Sequence, residues 1–212
     1  MATFSGIPVE AFEFYDELSV NNSKPWWDAH KSEYEQHVRG PLTDLLAGLS
    51  EEFGDAKLFR PYRDIRFSKD KTPIKDHQGG YVSTQDAVGY YVQISSSGVM
   101  VAGGWYAPSP AQLKRYREAV ASGRADELRA LVADLEKKWH LETNSLKTRP
   151  KGTDEDTPDL DLLKYRMITA ERHYPVEAWM GTRKALSRVR TDWRQLRPLI
   201  DWLTDVVGPA DR

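Results

Sequence analysis

Between Arg60 and Lys75 the chain sets Arg60, Arg63, Arg66, Lys69, Lys71 and Lys75 against only Asp64 and Asp70, a local charge of +4 in a protein of formal net charge −2. Guanidinium forks and ammonium groups are the side chains best matched to phosphate or carboxylate, so this island predicts that something anionic is held there. Ser68-Lys69-Asp70-Lys71-Thr72-Pro73 has the composition of a turn, in which Ser, Asp and Thr bond nearby backbone amides. Such a turn also presents consecutive N–H groups, and here Lys71, to an oxyanion. Asp64 or Asp70 is then placed to orient a basic side chain or to act as a general acid–base. Read as a strand, residues 60–67 carry Ile65 and Phe67 on the core side, and Arg63 falls on that side with them. A core-side arginine has to be paired or to reach into a cleft, and an Arg63–aspartate ion pair is as good a reading as a ligand contact.

A second basic set comprises Lys147, Arg149 and Lys151, followed by Lys164 and Arg166. The first three are two residues apart, which lines them along one face of an extended segment, either as an anion-binding edge or as a solvated edge that deters aggregation. Gly103-Gly104-Trp105-Tyr106 permits close backbone approach, and its two rings offer a wall for a ring or sugar or, more plainly, cap the core at a strand-to-helix corner. The candidate ligand contacts are therefore Arg63, Asp64, Arg66, Ser68, Lys69, Asp70, Lys71 and Lys75 in the island, with Trp105, Lys147 and Lys164 from later segments.

Other chemistries lack their residues. With no Cys there is no disulfide framework, thiolate nucleophile or thiolate metal site. The five histidines, His30, His37, His77, His140 and His173, include no pair at i, i+4 and no His-Xaa-His, so no metal is assigned; Asp76-His77 is the acid–histidine neighbour nearest the island. A Gly-Xaa-Ser-Xaa-Gly elbow, a P-loop and a dinucleotide fingerprint are all absent, and no cofactor is assigned. A net charge of −2 also argues against a generic nucleic-acid coat, which needs a broad surplus of Lys and Arg.

The elements that hold these residues follow from periodicity. Phe12, Tyr15 and Leu18 mark a helix after Pro8; Asn21-Asn22-Ser23 breaks it, and Lys24-Pro25 starts another that turns Trp26, Trp27, His30, Tyr34 and Val38 inward, with Trp26 or Trp27 in the core. Gly40-Pro41 interrupts, and Leu42, Leu45, Leu46, Leu49 and Phe53 resume helical spacing. Alternating segments at 58–67, 88–94 and 98–103 predict strands, the last two joined as a hairpin at Ser95-Ser96-Ser97. Helices are expected at 109–120 and 125–139, the second with Leu128, Leu131 and Leu135 in the core. Residues 143–158 read as irregular, 159–164 as a short helix and 165–171 as a returning strand. Pro175 opens a helix toward Val189, and Trp193, Leu196, Ile200, Leu203 and Val207 form a terminal one slowed by Pro198.

Helices bracketing a strand-rich middle predict an α+β fold, a single domain over residues 1–212 whose central, mainly antiparallel sheet is covered by N- and C-terminal helices. At 212 residues, 40% of them hydrophobic, the chain is long enough for one well-buried core. The start lacks a basic segment followed by an apolar run, and no stretch approaches eighteen apolar residues, so a cytoplasmic protein without a membrane partner is expected.

The run Tyr62-Arg63-Asp64-Ile65-Arg66-Phe67-Ser68-Lys69-Asp70-Lys71-Thr72-Pro73-Ile74-Lys75 resembles the hallmark of the family carried as domain of unknown function 2461, conserved hypothetical proteins of bacteria and fungi. Asn21-Asn22, Trp26-Trp27-Asp28, His30-Lys31, Gly103-Gly104-Trp105, Pro108, Leu146-Lys147, Pro150-Lys151-Gly152, Pro158 and Leu162-Leu163-Lys164 agree with it, so the resemblance covers nearly the whole chain. Ile74 stands where an aromatic is usual and Thr157 where His is common. The resemblance implies a compact α+β domain and supplies no reaction. Three functions stay open: binding of, or catalysis on, a phosphorylated or other anionic small molecule; a protein or nucleic-acid interaction module with an exposed basic patch; and a structural ion-pair network.

Overall fold

In the computed structural model the described residues are 4–64, 66 and 69–210. Helices α1 (Glu10–Asn21), α2 (Lys24–Glu33), α3 (Gly40–Ala47) and α4 (Ser50–Phe53) precede strands β1 (Ala56–Leu58), β2 (His77–Gln85), β3 (Val88–Ser95) and β4 (Gly98–Trp105). Then come α5 (Pro110–Ala119), α6 (Ala125–Leu135), β5 (His140–Glu142), α7 (Leu160–Leu163), β6 (Ile168–Tyr174) and α8 (Lys184–Val207). The strands form one antiparallel sheet in the order β1-β2-β3-β4-β6-β5, and gathered strands with 48% helix make the class α+β. Contacts cluster in two units: Met1–Val82 with Tyr91–Val101 and His173–Thr191, and Ser83–Tyr90 with Ala102–Arg172 and Asp192–Arg212.

In the first unit the helical run from α2 to α3 is continuous, because the interruption expected at Gly40-Pro41 is absorbed by a π turn over Tyr34–Arg39. Pro41 has no N–H to give, and Gly40 donates instead to the Glu35 carbonyl, which widens the helix by one residue without ending it. Ser23 caps α2 by accepting from the Trp26 N–H. Trp27, Tyr34, Leu42, Leu45 and Leu49 are buried, while Trp26 keeps partial exposure and stacks on His30 with ring centres 4.1 Å apart.

Strand β2 was not among the expected elements, because His-Gln-Gly-Gly carries little strand propensity. Its glycines are demanded by neighbours. A Cβ on Gly79 would come within 2.1 Å of the Tyr91 hydroxyl, and one on Gly80 within 2.4 Å of the Leu46 side chain, so helix α3 packs on the Gly80 face. Strand β1 pairs with β2 in the register Ala56↔Val82, Lys57↔Tyr81, Leu58↔Gly80. The strand expected at 58–67 is thus only β1, ending at Leu58; residues 59–64 and 66 lie in no strand, Tyr62 making an isolated bridge, and the inward roles of Ile65 and Phe67 lie outside the described residues.

In the second unit Ser109 and Gln112 form a reciprocal cap on α5, and Gly123 at φ 102° breaks the path from α5 into α6. Leu128, Val132 and Leu135 are buried; Leu131, expected in the core, is only half-buried because it lies at the side of the stripe. Strand β5, inside a stretch without an expected strand, pairs with β6 as His140↔Glu171, Leu141↔Ala170 and Glu142↔Thr169. The two C-terminal helices expected are one. Pro175 lies outside helix, a short 3-10 turn covers Ala178–Gly181, and α8 runs through Pro198 to Val207. No helix among the described residues is long and apolar enough to cross a membrane.

Candidate functional site

The basic motif occupies a long loop of the first unit, closed at its base by an isolated antiparallel bridge between Tyr62 and Ile74. The Arg63 N–H donates to the Pro73 carbonyl and the Lys75 N–H to the Pro61 carbonyl, both at 2.8 Å. The prolines have no N–H to extend this ladder and serve it only as acceptors, which is why the segment closes as a loop and does not continue as a strand. Ile74 is 1% exposed, and one side chain holds both of its backbone groups. Asn22 donates its amide N–H to the Ile74 carbonyl at 2.9 Å and accepts the Ile74 N–H at 3.1 Å. The Trp27 indole donates to the Tyr62 hydroxyl at 3.2 Å, tying the same base to α2.

A second anchor is Gln78, 1% exposed. Its amide donates to the Phe59 carbonyl at 2.7 Å and the Gly79 carbonyl at 2.9 Å, and its oxygen accepts the Tyr34 hydroxyl at 2.6 Å. Burial raises the Tyr34 phenol well above its ordinary range, so it stays a donor. Tyr34 sits at the start of the π turn, so the wide turn and the loop entrance share one bond.

Much of the charge in the loop is matched internally. Arg66 makes a bidentate pair with Asp64, Nε at 3.0 Å and Nη2 at 2.7 Å; the same bonds hold the Asp64 carboxyl below its usual range. Asp70 accepts the Thr72 N–H at 2.9 Å and hydroxyl at 2.8 Å, which lower its pKa, and also binds the Arg63 guanidinium. Arg63 lies 3.7 Å from Asp76, whose carboxylate meets His77 Nδ1 at 2.7 Å. Lys69 and Lys71 are exposed, and Ser68 lies outside the described residues.

Two cationic groups differ from these. The Nε of Arg63 is buried and has no hydrogen-bond partner among the described residues. Lys75 is half-buried, its ammonium 5.4 Å from the centre of the Phe59 ring, and its pKa is lowered first by burial and then by Arg60 and Arg63. Arg60, Arg63 and Lys75 therefore form a knot of like charge. Nothing in the spacing of the motif separated this trio from Arg66, Lys69 and Lys71. The supports Asn22 and Tyr34 lie well before Arg60 in the sequence and Gln78 lies beyond Lys75, where no pattern links them to the island.

The remaining expected contacts belong to the second unit. Trp105 is 0% exposed with its ring 5.2 Å from Tyr116, so core packing consumes the face that a ligand would need, while Tyr106 is exposed. Lys147 is exposed and Lys164 half-buried, brought side by side as the Leu146 N–H donates to the Lys164 carbonyl at 2.9 Å. Arg149 pairs with Glu155 at 3.5 Å. This unit also has an open cleft of about 540 Å³, lined among others by Leu131, Leu135, Leu199 and Trp202. Its cation, Arg124, is already bonded to Glu127 and Asp205. Among the described residues no group of three or more His, Asp or Glu is arranged to hold a metal ion.

The family of conserved hypothetical proteins designated DUF2461 matches residues 10–202. No curated protein and no solved structure matches the chain.

Proposed function

The chain belongs to the DUF2461 family, and for this member we propose that the basic loop binds a phosphorylated or otherwise anionic small molecule, with Arg60, Arg63 and Lys75 as its contacts. The observation that carries the reading is the orphaned Nε of Arg63. A buried donor left without an acceptor costs about 1–3 kcal/mol, which a bound oxyanion recovers by accepting that N–H. The same oxyanion relieves the repulsion among the three cations, and Lys75 has no carboxylate within ion-pair distance among the described residues to do so. Lys69 and Lys71, exposed on the same loop, add long-range attraction for an approaching anion.

The test is thermal unfolding against inorganic phosphate, with chloride at matched ionic strength. A saturable rise in melting temperature is expected, equivalent to about 2.7 kcal/mol at a hundred times the dissociation constant. Lys75→Gln and Arg60→Gln should each shift the titration to higher phosphate. The structural-network reading is favoured by one observation, the three bonds that Asp70 makes to Arg63 and Thr72. It expects Asp70→Asn to lower stability in phosphate-free buffer and phosphate to have no saturable effect on the wild type.

A further inference from the structure

We infer that the anion bound at this loop is the phosphate of a ring-bearing ester, the chemistry of a nucleoside monophosphate, free or within a single strand, whose base stacks on Phe59. The inference rests on the anion-binding reading above and adds the substrate class. Its basis is a group of rings on the sheet face opposite helix α3. The Phe59 N–H continues the β1 ladder by donating to the Gly79 carbonyl at 3.0 Å, so Phe59 stands opposite a residue with no side chain. Into the space over Gly79 come Tyr91, whose hydroxyl would collide with a Cβ there, and Phe59 itself, with ring centres 6.1 Å apart. Tyr81 lies 6.4 Å from Phe59 with its plane only 27° away.

Tyr81 and Tyr91 are half-buried and brace the group, while Phe59 remains 46% exposed. An exposed phenyl held rigid by two others offers a π face without the entropic cost of ordering it. Charge completes the match: the Lys75 ammonium stands over the Phe59 ring, 5.4 Å from its centre, Arg60 follows Phe59 directly, and Lys57, paired in register with Tyr81, is exposed on the same side. Cations beside a stacking ring are the combination by which proteins hold single nucleotides and unpaired strands, the ring taking the base and the cations the phosphate. Asp76, a carboxylate next to Lys75 in the sequence, is occupied by His77 and Arg63.

The experiment compares the affinities of the full chain for inorganic phosphate, ribose 5-phosphate, adenosine monophosphate and a five-nucleotide single strand by calorimetry. Stacking should make adenosine monophosphate bind roughly 5- to 150-fold more tightly than ribose 5-phosphate. In Phe59→Ala that ratio should fall to near one, and in Phe59→Tyr it should persist. A strand that binds more tightly than the monophosphate, with the same loss in Phe59→Ala, supports the inference with a strand as the source. Phosphate and the monophosphate binding equally in the wild type would overturn the stacking inference and leave the anion site standing. Saturable binding of none of the four would overturn both.

Discussion

Replacing Asn22 with Ala tests how much of the loop's anchoring rests on one side chain. The amide of Asn22 satisfies both backbone groups of Ile74, at 2.9 and 3.1 Å, across 52 residues of sequence. Ile74 is 1% exposed, so after the substitution its N–H and C=O lose their partners where water reaches them poorly. Each orphaned group costs about 1–3 kcal/mol when fully buried; the site is part-buried, which puts the expected loss for the pair at roughly 2–4 kcal/mol. Asn22→Asp separates the two bonds. An ionised carboxylate still accepts the Ile74 N–H but meets its carbonyl with negative charge, so at neutral pH this variant should lose at least the donor's share. Protonation at low pH restores a donor, and the gap between Asn22→Asp and wild type should narrow as pH falls through the carboxyl's range. Urea midpoints give the stability change, and amide exchange reports whether the Arg63 and Lys75 N–H groups, bonded across the loop base, lose protection. An unchanged midpoint with unchanged exchange at these amides would refute the clamp.

Two further outcomes follow from packing and charge. Leu128→Ala, at a position with no exposure, should cost on the order of 2–5 kcal/mol, whereas Leu131→Ala, beside the open cleft, should cost clearly less; equal urea midpoints for the two would contradict the burial pattern. Asp161 has its pKa lowered chiefly by its hydrogen bonds from Arg129. A depressed carboxyl contributes stability that is present above its unfolded-state pKa and lost as pH falls through its folded value. Asp161→Asn should therefore flatten the acid limb of the stability profile, and an unaltered slope there would count against the pair.

The charge of the loop was legible in the sequence, and so were the helices of the N-terminal quarter, since apolar residues three and four apart report a buried face regardless of what covers it. The hairpin of β3 and β4 was legible for the same kind of reason: alternation at period two followed by a serine turn is a local property. Strand β2 was not, because Gly79 and Gly80 are set by Tyr91 and Leu46, partners that no local pattern announces. Nor was the segment from Phe59 to Asp64, outside any strand in the structure, distinguishable from one, although the turn after it was read from composition. Pro61 and Pro73 limit its pairing to one bridge, and the bonds that fasten it come from Asn22 in α1's exit and Gln78 in β2. Six basic residues in a row of sixteen look equivalent on paper. Tertiary structure made them unequal, giving Arg66 to Asp64 and part of Arg63 to Asp70, while leaving the Nε of Arg63 without a hydrogen-bond partner among the described residues and Lys75 over an exposed ring. The physical reason is range: propensity and periodicity act within a few residues, whereas which charge is neutralised and which is left for a ligand depends on neighbours that only the folded chain assembles.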